Sequence, residues 1–200
     1  MAAVDVIPVE VPAAPPTRPR LVLFGTALAS AACVMAFGGL IGVYLSTRAT
    51  TLAEGKPWIP DGASIPLTPG TMALFTLVLS VVTMQWAVHA VGANDRQHAL
   101  MALGLTVFFG AAAINAISFL FSQTGIGVRG SAMGVLFYVI SGAEIAMIVA
   151  GLVYAGIMTI RTTGGEYSGR DREGIVAASM FWYVTVAMYA LVWYAIYVTK

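Results

Sequence analysis

Residues 131–160, SAMGVLFYVISGAEIAMIVAGLVYAGIMTI, hold thirty positions and a single charge, Glu144. A run of this length and apolarity is too long for a core strand and long enough to cross the hydrocarbon region of a bilayer as a helix, which takes about 20 residues. Four further stretches qualify: Leu21 to Leu45, Gly70 to Val91, Ala99 to Phe121 and Ile175 to Val198. The whole chain agrees with this local reading, being 59% hydrophobic and 10% charged over 200 residues, with a mean hydropathy of +0.87. Such a composition lies outside the range of soluble domains of this size. The ten-residue alternation of a membrane β-barrel is absent, and a bilayer supplies no water to free backbone amides. The fold class is therefore an all-α membrane protein, a bundle of five transmembrane helices over residues 21–200 preceded by a flexible tail, 1–20.

The loops set an orientation. With five spans, Arg18, Arg20, Arg96, Arg161, Arg170 and Arg172 share one side, and Arg48, Lys56, Arg129 and Lys200 the other. The positive-inside tendency then puts the N-terminus in the cytoplasm and the C-terminus outside. The tail, MAAVDVIPVEVPAAPPTRPR, lacks the short basic start of a signal peptide and reads as an extended segment. The first loop carries Pro57, Pro60, Pro66 and Pro69, which stiffen it for packing over the helix ends or against a partner, with Trp58 at interface level. The fourth, RTTGGEYSGRDREG, reads as a mobile loop. Trp193, Tyr194 and Tyr197, close to the end of the last span, read as membrane anchors.

Several chemistries are excluded by residue supply. A net charge of +1 gives no basic surface for nucleic acid. The one cysteine, Cys33, lies inside the first span and supports neither a disulfide framework nor a thiolate metal site. Haem in a membrane bundle needs axial ligands facing its interior. The two histidines, His89 and His98, lie close to the junction of the second and third spans instead. No metal or cofactor site is assigned.

What remains is a small set of intramembrane groups. Pairs of small residues at helix-packing spacing, Gly38 and Gly42, Ala112 and Ala116, Gly151 and Ala155, let backbones approach closely in lipid. Gln85, Asn115 and Glu144 are polar groups at membrane depth that need partners or a wet cavity. Glu144 is the sharpest, because an ionised carboxylate there costs about 2.5–3.5 kcal/mol on insertion scales. Desolvation favours its neutral acid, able to donate to Asn115, Gln85 or a partner subunit. It is either a proton-carrying carboxylate or a neutral acid holding helices together.

Taken with their spacing, several motifs resemble subunit III of the cytochrome c oxidase family, in its short five-helix bacterial form. MAFGGLIGVYLSTRA (Met35 to Ala49), MQWAVHA (Met84 to Ala90) followed by Asp95-Arg96, GSAMGVLFYVISG (Gly130 to Gly142), and Trp182 with Tyr197 are similar to the family's pattern from about Leu21 onward. Departures accompany the matches. Cys33 and Ile117 stand where the family has carboxylates, Glu144 and Met147 where it has a His-x-x-His pair, and Trp182-Tyr183 where it has Trp-His. The resemblance implies a non-catalytic subunit of an aerobic respiratory oxidase in a bacterial plasma (inner) membrane, docked on subunits I and II within a wider respiratory supercomplex. Haem and copper then reside in those partners, structural phospholipids occupy a cleft, and the subunit supports proton uptake. Two rivals stay open: an accessory subunit of a nitric-oxide reductase, and a small proton-linked transporter using Glu144. The second lacks the internal repeats and broken helices of transporters.

Overall fold

The structure, a computed structural model, describes residues 20–165 and 172–199. The tail and the centre of the fourth loop, whose readings are given above, lie outside the described residues. Five helices follow one another: α1 Leu21–Ala53, α2 Leu67–Gly92, α3 Arg96–Gln123, α4 Ala132–Thr163 and α5 Glu173–Val192, the last continued by a π-helical turn, Trp193–Val198. All five are long and apolar enough to span a membrane, and the described residues contain no strand. Helix is the only open spanning form that satisfies its own backbone in lipid.

Most helices overrun the predicted spans. At 33 residues and about 1.5 Å per residue, α1 is roughly 50 Å long, against a hydrocarbon core of about 30 Å. Its excess turns, Ser46 to Ala53, are polar and stand beyond the apolar run, so hydropathy alone assigned them to the loop. The remaining loop, residues 54–66, folds back over the bundle. Trp58 is buried there and its Nε1 donates to the Tyr44 hydroxyl at 3.1 Å. The ring is thus packed against the bundle and not turned out toward lipid.

Side chains cap the starts of two later helices. Asp95 Oδ1 accepts the His98 amide at 3.1 Å to start α3, and on the far end Ser131 Oγ accepts the Gly134 amide at 3.0 Å to start α4. Each side chain satisfies one of the donors that a helix N-terminus leaves open.

The helices α2 and α3 form a closely packed antiparallel pair, α4 bridges α3 and α5, and α5 touches α1, α2 and α4. Accordingly 56% of the most apolar window of α5 is buried, against 11% for α1. Helix α1 docks through one seam, Ser30, Phe37 and Tyr44, spaced seven residues apart as in a narrow coiled-coil contact. It leaves Met35 72% exposed on its outer side.

Two hydrogen bonds pin that helix to the start of α5 and to Thr199 just past its π-helical turn. The Leu23 amide donates to Glu173 Oε1 at 3.0 Å, and Arg48 Nη2 donates to the Thr199 carbonyl at 2.5 Å.

Candidate functional site

The buried stripe of α4 runs Phe137, Ile140, Ser141, Glu144, Met147, Ile148, Gly151 and Ala155. Steps of three and four keep these residues on one helical face, and Glu144 lies in the middle of it. The carboxyl is 1% exposed. Neither of its oxygens has a hydrogen-bond partner in the protein, nor does Ser141 Oγ one turn earlier. Buried polar atoms without partners are uncommon and costly, so three on one turn mark this point in the bundle.

Around it α5 supplies tyrosines. Tyr189 and Tyr197 lie within electrostatic reach of Glu144, as does Tyr44 of Tyr197. The Tyr189 hydroxyl donates to the Gly70 carbonyl at 3.0 Å. The Tyr197 hydroxyl sits beside Ser141 Oγ, yet the two fall outside strict hydrogen-bond geometry. Tyr197 is 1% exposed and packs on Phe137. Its predicted anchoring role is thereby corrected: of the three aromatics, Tyr194 is 60% exposed, while Trp193 is half-buried and donates to Thr71 Oγ1 at 3.2 Å.

Toward the α2–α3 turn the interior is sealed by Trp182, whose Nε1 donates to Ser80 Oγ at 2.9 Å. Room for this indole comes from missing side chains. A Cβ at Gly151 would stand 2.6 Å from the ring and one at Gly110 2.8 Å from it.

The predicted groups do not converge. Gln85 is exposed and its Oε1 accepts the Tyr183 hydroxyl at 2.6 Å. Asn115 is exposed on α3. Neither reaches Glu144 by any hydrogen bond, and at 1% exposure the carboxyl is inside this chain, not presented to a partner's surface. The small pairs divide as well. Gly151 and Ala155 are buried between helices, and Ala112 and Ala116 are half-buried. Gly38 and Gly42 face outward with nothing within 4 Å of an added Cβ.

Sequence reasoning missed the Gly70 and Gly110 contacts and the buried tyrosines. Tyr44, alone at mid-helix among apolar neighbours, was the available signal. Cys33 packs half-buried against the core. Among the described residues, no three His, Cys, Asp or Glu side chains are grouped to hold a metal ion. At the α2–α3 turn the His98 amide and ring, in that order, hold the Asp95 carboxyl below the usual range, with Oδ2 2.6 Å from His98 Nδ1.

Comparison with known proteins adds the following. The sequence profile of a family described as cytochrome c oxidase subunit III matches residues 20–200. Similar curated proteins include the cytochrome c oxidase subunit 3 of Strongylocentrotus purpuratus, 28% identical over 152 residues, covering 74% of this chain and 58% of that protein. The protein of the same name from Pisaster ochraceus is 26% identical over 155 residues, covering 76% and 59%. That from Cyprinus carpio is 24% identical over 159 residues, covering 77% and 60%. The chain thus spans under two thirds of the length of these relatives.

Proposed function

Because the chain belongs to the cytochrome c oxidase subunit III family, we propose that it is a non-catalytic subunit of a respiratory oxidase, docked on the haem-bearing subunit I together with subunit II. Residues 21–200 act as one membrane domain and residues 1–20 as its tail. Electron transfer and oxygen reduction belong to the partners. The single observation that carries this reading is the family match across residues 20–200.

A structural role fits the exposed faces. Large apolar side chains such as Met35, Phe75 and Phe108 point away from the bundle, which suits lipid and membrane-embedded partners equally. Two apolar grooves flank α1, one of about 350 Å³ bounded by Ala29, Val153 and Phe181. The other, about 590 Å³, is bounded by Phe24, Ala27 and Met180. These suit acyl chains of structural phospholipids. The proposed host complex lies in a bacterial plasma membrane within a larger respiratory assembly, where the subunit supports proton uptake; the resemblance to the short five-helix form supports this reading.

The test is a mild-detergent purification of the tagged protein from its native membrane, with a reduced-minus-oxidised spectrum and mass spectrometry on one fraction. Haem a bands with subunits I and II are expected. Haem b with a nitric-oxide reductase large subunit would move the chain to that host, and a colourless fraction without a haem-bearing partner would overturn both.

A further inference from the structure

Three polar atoms on one turn of α4 have no partner in the protein, both oxygens of Glu144 and Ser141 Oγ. Their residues are 1% and 2% exposed. Lipid and partner subunits do not reach them, so their hydrogen bonds have to be found inside the bundle. Among the described residues, the polar groups that come near are tyrosine hydroxyls of α5. Ser141 Oγ lies beside the Tyr197 hydroxyl, and Tyr197 is within electrostatic reach of both Glu144 and Tyr44. The Tyr44 hydroxyl in turn accepts Trp58 Nε1 and lies within reach of Arg48, whose guanidinium is bonded to the Thr199 carbonyl. Glu144, Ser141, Tyr197 and Tyr44 thus lead from the middle of α4 toward the end of the bundle that holds Thr199 and the 54–66 loop.

In the other direction the interior is closed. Trp182 fills the space above Gly110 and Gly151, and the buried hydroxyls of Ser80, Thr106, Thr162, Ser179 and Thr185 are each spent on a carbonyl of their own helix. Among the described residues, Ser30 on α1 is the buried hydroxyl of that half without a partner.

We propose that Glu144, Ser141, Tyr197 and Tyr44 form an internal proton-exchange file that connects the Glu144 carboxyl to the C-terminal end of the bundle, with single water molecules bridging the hydroxyls. Buried waters of this kind occur at about one per 27 residues and take their bonds from such groups. In each transfer a hydroxyl accepts one proton and releases its own, so the acid exchanges its hydrogen with the aqueous phase and no net charge enters the membrane. The groups facing the carboxyl are Tyr189 and Tyr197 from α5, with Tyr44 and Arg48 beyond them on α1. The buried side chains of α2 and α3 include Ala73, Leu77, Ala113 and Ile117, which do not titrate. The file ends at Glu144, which makes it a terminal site and not a path across the membrane. This inference depends on the bundle alone and not on the host complex.

Infrared spectroscopy of the full chain in lipid nanodiscs tests it. A protonated-carboxyl band is expected that is lost in Glu144→Gln and moves to lower frequency in heavy water. In Tyr197→Phe and Tyr44→Phe the band remains, and its exchange slows by about tenfold or more, equivalent to a barrier higher by about 1.4 kcal/mol. Tyr183→Phe, outside the file, leaves the rate within about twofold, well inside the tenfold that 1.4 kcal/mol represents. If Glu144→Gln fails to fold, carboxyl-labelled glutamate in the native chain identifies the same band by its isotope shift. Absence of the band, or equal exchange rates in all three tyrosine variants, would overturn the proposal.

Discussion

A hydrocarbon side chain of the same length at position 144 would bring no unpartnered polar atom of its own into the bundle. Removing a buried group that no protein atom satisfies recovers its desolvation cost, about 1–3 kcal/mol. Glu144→Met is therefore expected to raise the thermal midpoint of the isolated chain, measured by scanning fluorimetry in detergent, in spite of altering its most enclosed acid. Glycines give the opposite contrast. Gly151→Ala drives a methyl to within 2.6 Å of Trp182 and should destabilise by about 1–3 kcal/mol through overpacking. Gly42→Ala meets no atom within 4 Å and gains helix propensity, a stabilisation of up to about 1 kcal/mol. Both belong to small-residue pairs of the same spacing. In lipid an outward face is as apolar as an inward one, so spacing cannot tell them apart, and the same holds for Tyr194 and Tyr197.

At the scale of the element, α1 begins without a side-chain cap of its own. Glu173 of α5 does that work from a neighbouring helix by accepting the Leu23 amide. Glu173→Ala should cost about 0.5–2 kcal/mol, the range for a lost cap, and appear as faster hydrogen exchange confined to the first turns of α1. The α3 cap responds to pH. Because the folded-state pKa of Asp95 is lowered, its contribution is present above the ordinary carboxylate range and is lost as pH falls through the lowered value. Amide shifts of Gln97 to Ala99 followed by NMR into acid should report this local loosening, and Asp95→Asn should remove the pH dependence. The existence and type of all five helices were legible because each crossing needs a long apolar run. Their ends were not, since helices such as α1 continue into water on polar residues, where hydropathy falls silent.

The whole molecule is a packed unit of α2 to α5 with α1 seated on α5 and α4. Which helix is central was hidden in the sequence, because every span is apolar on all sides. That α5 is the most enclosed follows only from contacts among residues far apart in the chain. A chain truncated before Glu173 should consequently leave α1 without its seam, so that protease in detergent releases α1 while the α2–α3 pair survives.

The two pins on α1 join residues 150 and 151 positions apart, and this separation has a consequence for synthesis. Ribosomes extend a chain at about 5–20 residues per second, so the first helix waits on the order of ten seconds before its partner emerges. During that interval its seam of Ser30, Phe37 and Tyr44 faces lipid or the insertion machinery, and the bundle closes from its last helix backward to its first.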